Sequence, residues 1–105
     1  MAFNTGPSLL DAIVLSAAAR EGTYGYKITQ DVRSVMEVSE STLYPVLRRL
    51  QKDGCLETYD QEFGGRNRRY YKITPAGRQR LDESLSEWED YKKKIDIVFY
   101  GGIET

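Results

Sequence analysis

Apolar residues recur along this chain with a helical period over most of its length, and the one stretch where the period fails lies just past the middle. The segment between Val38 and Leu56 carries the clearest pattern. Leu43, Val46, Leu47 and Leu50 stand at the three- and four-residue steps of a single helical face. Ser41, Tyr44, Pro45, Arg48 and Lys52 fall opposite them, with Arg49 at the margin, so the outward face holds cations, a phenol and a hydroxyl but no acid. Such a face suits a polyanion. The pattern predicts a helix over 41–53 that either Ser39 or Ser41 can cap and that Gly54 closes in a left-handed conformation. If Ser41 is the cap, Pro45 sits just beyond the first turn and predicts a local distortion at Tyr44.

Upstream, residues 3–7 make a short arm, after which Ser8 is expected to cap a helix with the stripe Leu9, Leu10, Ile13, Val14, Ala17 and Ala18 and with Asp11 favourable in its first turn. That helix should end before Glu21-Gly22. A second helix opens at Tyr24-Gly25-Tyr26 and turns Ile28, Val32, Val35 and Met36 inward, with Lys27, Gln30, Asp31, Arg33 and Ser34 outward. The link through Glu37-Val38 is very short, and two helices so joined make a helix-turn-helix.

Downstream of Gly54 the β-branched and aromatic runs 55–59 and 68–74 predict a hairpin, with turn chemistry across 60–67. Leu56, Tyr71 and Ile73 can lie on its buried side, leaving Arg66, Arg68 and Arg69 near a glycine-bearing tip that is poor core and good phosphate contact. Thr74 then caps, and Pro75 opens, a helix expected to reach about Tyr100. Leu81, Leu85, Trp88, Lys92, Ile95 and Phe99 alternate in steps of four and three along it, a coiled-coil-like seam longer than a domain of this size can cover. The seam predicts a homodimer, with Leu9, Ile13 and Ala17 as a second strip. The architecture is mainly α with a small β-hairpin: a winged helix-turn-helix region over 1–74, its wing at 55–74, a dimerisation helix over 75–100, and a tail at 101–105.

With 105 residues and 40% apolar content, one small core is expected. The chain has no histidine and a single cysteine, Cys55, so there is no basis for an intrachain disulfide, a thiolate or imidazole metal site, or a Ser-His or Cys-His pair. No cofactor is expected, no spacing assembles a nucleophile with a base and an orienting group, and the chain is not read as an enzyme. Without a membrane-length apolar run or a signal-peptide layout, the cytoplasm is the expected location. The net charge of −1 conceals segregation. Before Ser41 acids outnumber bases; from Ser41 to Lys72, Arg48, Arg49, Lys52, Arg66, Arg68, Arg69 and Lys72 face only Asp53, Glu57, Asp60 and Glu62.

Three stretches together carry a resemblance: Tyr24-Gly25-Tyr26-Lys27-Ile28; Thr42-Leu43-Tyr44-Pro45-Val46-Leu47-Arg48-Arg49-Leu50 with Gly54 after it; and Gly64-Gly65-Arg66 through Tyr70-Tyr71 to Thr74-Pro75-Ala76-Gly77-Arg78. In this order they cover nearly the whole domain, and the chain resembles the short members of the PadR family of bacterial transcriptional regulators. The resemblance implies a homodimeric repressor whose third helix enters the major groove of double-stranded operator DNA and whose wing follows the flanking backbone. Carried onto this sequence, Ser41, Tyr44 and Arg48 become groove residues, with Thr42 and Pro45 in the same block and Arg49 beside it. Lys52 becomes a phosphate or groove-edge contact, and Arg66, Arg68 and Arg69 become wing contacts. Asn67 stands where many members have proline. The family also suggests release by a small aromatic effector, for which Trp88, mid-seam, with Lys92 and Asp96 further along, forms the candidate site. A winged helix serving only as a protein-interaction module is the competing expectation.

Overall fold

Ser39, not Ser41, starts the central helix. In the computed structural model, which describes residues 7–20 and 23–102, the Ser39 backbone is extended and its hydroxyl accepts the Thr42 N–H at 3.2 Å. The helix α3 therefore spans Glu40–Lys52. Pro45 then lies in the helix interior, and α3 runs through it unbroken: the distortion expected at Tyr44 does not interrupt the helix. The ring forfeits one backbone bond to Ser41, while buried Leu43, Val46, Leu47 and Leu50 pin the helix on either side. At the far end Gly54 takes φ of 79°, its N–H reaches the Gln51 carbonyl at 3.1 Å, and the Cys55 N–H reaches that of Leu50 at 2.9 Å. Both bonds satisfy carbonyls that the helix end would otherwise leave open.

Around α3 the order is α1 (Pro7–Ala18), β1 (Thr23–Tyr24), α2 (Gly25–Arg33), then α3, β2 (Leu56–Phe63), β3 (Arg66–Ile73) and α4 (Pro75–Tyr100). The arm at 3–6 lies outside the described residues, and α1 is already under way at Pro7, so Ser8 stands within the helix instead of capping it. Asp11 consequently lies past the first turn. It is buried, and both its oxygens accept from the Arg49 guanidinium, at 3.0 and 2.5 Å, which ties α1 to α3. The apolar stripe of α1 divides between two surroundings. Val14, Leu15 and Ala18 enter the core, where Leu15 was not anticipated, whereas Leu9, Ile13 and Ala17 are half-buried.

Helix α2 is shorter than its pattern suggested. Ile28 and Val32 are buried, but the helix stops at Arg33, so Val35 and Met36 fall in the link and stay exposed, Val35 by 84%. Thr29 is buried in their stead, its hydroxyl donating to the Tyr26 carbonyl at 2.8 Å. The sheet has three antiparallel strands in the order β1-β3-β2; β1, which the sequence did not disclose, pairs Thr23 with Tyr71 and Tyr24 with Tyr70. The hairpin is longer than expected, because 60–63 and 66–67 belong to the strands and only Gly64 and Gly65 turn. Both have positive φ, 60° and 80°, the requirement of a tight type I′ connection.

Thr74 caps α4 as expected, accepting the Gly77 N–H at 3.0 Å, and its own hydroxyl donates to the Gly54 carbonyl at 2.6 Å. Leu81, assigned to the dimer seam, is instead 3% exposed within its own domain. Beyond it the seam opens to solvent: Trp88 and Ile95 are half-buried, and Leu85 and Phe99 are exposed, Phe99 by 72%. At 1.5 Å per residue the helix is about 39 Å long, and it contributes to an envelope of 64 × 27 × 21 Å.

The start of α4 is packed so closely on the end of α3 that a Cβ at Gly77 would meet the Cys55 carbonyl oxygen at 2.1 Å and its carbon at 2.9 Å. Both are backbone atoms with nowhere to go. Gly77→Ala should therefore destabilise the protein by about 3 kcal/mol or more, the upper end of overpacking costs, although alanine is the better helix former by about 1 kcal/mol. Urea unfolding measures the sign; an unchanged or raised midpoint would show that α4 can slide off the corner.

Candidate nucleic-acid interface

The exposed side of α3 presents a hydroxyl cluster at its start and cations along its length. Ser39, Ser41 and Thr42 share hydroxyl contacts at 2.9 and 3.0 Å, so the capping bond also orients Ser41. Tyr44 is half-buried, while Pro45, Arg48 and Lys52 are exposed. Among the described residues the side chains of Arg48, Lys52 and Arg66 form no hydrogen bond or ion pair. Arg49 differs. The bidentate contact with Asp11 raises its pKa further above the guanidinium's ordinary value, and this engagement removes it from the outward set in which the sequence placed it.

The hairpin has two unlike faces. Inward lie Leu56, Tyr71 and Ile73, as expected. On the opposite face Tyr59 stacks on Tyr70 with ring centroids 5.4 Å apart, and Tyr24 meets Tyr70 edge-on at 5.5 Å, which together leave Tyr70 buried. Arg68 extends this aromatic row, its guanidinium carbon 4.6 Å from the centre of the Tyr24 ring and 4.8 Å from that of Phe63. Two rings restrain a long side chain that the sequence left loose at the tip. Arg69 points to the other face, with Asp60 at 3.9 Å in a largely exposed pair of little energetic weight. Arg66 and Asn67 are exposed beside the turn.

A cleft of about 580 Å³ separates α3 from the wing, lined by Tyr24, Gly25, Tyr26, Tyr44, Arg68, Arg69 and Tyr71. Only Tyr44, Arg68 and Arg69 of these were singled out as contact residues from the sequence. Gly25 gave the signal for the others: a Cβ there would lie 3.3 Å from the Tyr71 ring and 3.5 Å from the Tyr44 ring, so glycine allows two phenols to close over the start of α2. Burial raises the Tyr71 pKa, the nearby Arg69 lowers it and Tyr44 raises it, leaving a net upward shift.

A second hollow, of about 380 Å³, lies on the other side of the molecule between α1, the end of α2 and α4. Leu9, Ile13, Ala17, Leu85 and Trp88 line it together with Val35 and Met36, and Arg20 and Asp31 stand at its edge, 3.9 Å apart. It brings the predicted strip of α1 and two residues of the predicted seam to one place. Lys92 and Asp96 do not line it; Lys92 is paired with Glu89 at 3.1 Å. The polar groups available there are Arg20, Asp31, Ser16 and Ser84. No described helix is long and apolar enough to cross a membrane.

Comparison with known proteins bears on the same elements. The model of the transcriptional regulator PadR-like family matches residues 14–83. Transcriptional regulator Rv3488 of Mycobacterium tuberculosis is 39% identical over 83 residues, 78% of this chain and 78% of that protein. The crystal structure of smu.1704 from Streptococcus mutans superposes with a TM-score of 0.87 at 37% identity, covering 100% of this chain and 99% of that one. A PadR-like transcriptional regulator from Bacillus cereus gives 0.80 at 28%, covering 87% and 91%.

The raised pKa of Tyr71 has a measurable consequence. A phenol whose pKa is higher folded than unfolded contributes stability that is complete below its ordinary value near 10 and is lost as pH rises through the folded value. In alkaline titration by ultraviolet absorbance, a last step above the ordinary phenol range is expected, and Tyr71→Phe should abolish it. A last step that persists in Tyr71→Phe would place the perturbed phenol elsewhere.

Proposed function

Since the chain belongs to the PadR-like family of transcriptional regulators, we propose that it is a homodimeric repressor that reads operator DNA with α3 and is released by a small aromatic molecule. The observation that carries this is that the outward side of α3 and the wing tip present exposed cations without a carboxylate partner, Arg48, Lys52 and Arg66, in a chain whose net charge is −1. Residues 1–74 form the DNA-binding region and α4 the dimer contact. Ser41, Tyr44, Pro45 and Arg48 face the major groove with Thr42 at the helix start; Lys52 meets its edge, and Arg66, Arg68 and Arg69 follow the backbone. Arg49 takes no part, since its guanidinium is committed to Asp11.

The exposed apolar residues of α4 support the pairing of two chains. Leu85, Ile97, Val98, Phe99 and Tyr100 are all more than two-fifths exposed, and half-buried Leu9, Ile13 and Ala17 continue the surface onto α1. The hollow beside Trp88 has the size of a small-molecule site and an apolar wall with a few polar groups at its edge. A ligand there releases DNA by favouring a dimer geometry that misplaces the two α3 helices.

Binding to duplex DNA should fall steeply with salt, by roughly 0.9 in the log–log slope for each phosphate neutralised. Arg48→Ala should lower affinity by about 1–3 kcal/mol at one or two base pairs, while Arg66→Ala should weaken all duplexes alike and lower the slope by about one. Footprinting on the promoter of the chain's own gene should reveal half-sites about 10 base pairs apart or a multiple of that. A flat salt response would favour a protein-interaction module. Sedimentation should give a dimer at micromolar concentration and a monomer for the Ile95→Asp, Phe99→Asp double variant; a monomeric unmodified chain would remove the two-fold operator.

A further inference from the structure

Helix α1 packs on α3 and also walls the hollow beside Trp88, and its two sides are built differently. At about 100° per residue, Leu9, Ile13, Ser16 and Ala17 share the side that lines the hollow, while Asp11, Val14, Leu15 and Ala18 centre on the opposite side. Three of these four are apolar and enter the core; the fourth is a carboxylate only 8% exposed. A buried acid is costly unless its charge is matched, and both its oxygens accept from the Arg49 guanidinium. Among the described residues no other side-chain hydrogen bond joins α1 to α3.

Apolar packing alone would hold these two helices together. The guanidinium–carboxylate fork adds a direction, because its two bonds last only while both planar groups stay aligned. Arg49 follows Arg48, the outward cation, so holding its side chain fixes the turn of α3 about its own axis and with it where Arg48 points. The pair also reaches the corner: the Arg49 pKa is raised first by its bond to Asp11 and, against the cost of burial, by the charge of Asp53 one helical turn on, and Asp53 meets Arg80 of α4 at 3.5 Å. Charges of alternating sign thus run from α1 through α3 to α4. Their worth as stabilisers is small, since Arg49 is 43% exposed and the desolvation of Asp11 offsets much of the attraction. What the fork supplies is a fixed relation between two helices.

We propose that the Asp11–Arg49 pair is the coupling through which the hollow acts on α3 within a single chain. The inference rests on the reading of α3 as the DNA-binding helix and of the hollow as the effector site, and it names the residues that link the second to the first. A group that fills the hollow presses on Leu9, Ile13 and Ala17 and displaces α1; the fork carries Arg49 along with Asp11, and α3 turns away from the groove. Asp11 and Arg49 are positioning residues, since neither lines the hollow nor faces the groove. This route needs no change in how two chains pair.

The test puts a side chain in the place of a ligand. Ser16→Trp sets an indole into the hollow, both in the full-length chain and in a second background, Asp11→Leu with Arg49→Met. Apolar side chains replace the fork there, and the urea midpoint should be kept. Amide signals of the ¹⁵N-labelled protein are followed along α1 and at Tyr44, Arg48 and Lys52, together with affinity for a duplex from the promoter of the chain's own gene. Ser16→Trp should move α1 signals in both backgrounds but α3 signals only where the fork is intact. It should weaken duplex binding roughly tenfold with the fork and less than about twofold without it, a coupling of ordinary size. Any loss of chain pairing lowers both backgrounds alike, so the difference between them isolates the fork. Arg49→Lys keeps the charge and loses the fork; it should reduce the α3 shifts too, and it carries the test alone if the double variant does not fold. Equal α3 shifts with and without the fork overturn the proposal, as do α3 signals that stay still in the intact chain while those of α1 move. Duplex binding that ignores Ser16→Trp in the intact chain overturns it as well. A duplex that moves no signal of the unmodified chain removes the DNA-binding reading instead, and the α3 shifts then still decide the coupling.

Discussion

The corner where α3 ends and α4 begins is the constraint on which the arrangement depends. Four contacts converge on three consecutive residues: Arg80 reaches the Asp53 carboxylate at 3.5 Å, the Thr74 hydroxyl bonds the Gly54 carbonyl, the Thr74 N–H bonds the Cys55 carbonyl at 3.0 Å, and Arg80 reaches the Cys55 sulfur at 3.3 Å. Gly77 allows the approach by leaving that carbonyl room. The hairpin leaves from this corner and returns to it, for Leu56 pairs with Ile73 at its base. Helix α3, the wing and the long helix therefore share one anchored point, and none of them can rotate far without breaking bonds that the other two need. In a dimer paired through α4, the separation of the two α3 helices follows from the geometry of that corner and of the seam, with no flexible linker between them.

Much of this was legible in the sequence where local rules act. The register of α3 and its glycine stop, the Thr74-Pro75 start of α4 and its length all follow from caps and from the helical period, which depend on neighbours within a few residues. The parts that escaped are non-local. Strand β1 is two residues long and exists only because Tyr70 and Tyr71, nearly fifty positions later, offer it an edge. Arg49 read as an outward cation because its partner Asp11 lies 38 residues away. The outer half of the hairpin gave no alternating pattern, since both faces of a two-stranded ribbon meet solvent there and burial imposes no period. Val35 and Met36 continued the inward stripe of α2 on paper, but the helix ended before them and they went to the hollow beside Trp88.

The residues of the α3 face and of the cleft beside the wing divide along the same line. Arg48, Lys52 and Arg66 were legible as exposed positions because charge suffices to mark them. Gly25, Tyr26 and Tyr71 were not, because a tyrosine in a strand has the same period whether its hydroxyl is partnered or open. What distinguishes Tyr71 is the space left by Gly25 on another element, which only the packed chain defines.

The charges of this chain, whose net charge is −1, are paired unevenly over its surface. Arg33 is matched to Glu40 at 3.1 Å, Lys27 to Asp31 at 3.0 Å, Arg49 to Asp11 and Arg80 to Asp53. Each pair is too exposed, or too costly to desolvate, to contribute much stability, but each cancels a cation at a position off the groove. At physiological ionic strength fields decay within about 8 Å, so charge matched inside the fold is invisible to an approaching duplex, while the unmatched cations of α3 and the wing are not. The acids thus act less as stabilisers than as masks. Among the described residues the cations left without a carboxylate partner are Arg48 and Lys52 on α3, Arg66, Arg68 and Lys72 on the hairpin, and Arg78, Lys93 and Lys94 on α4, so the residual positive field lies over α3 and the hairpin and also along α4.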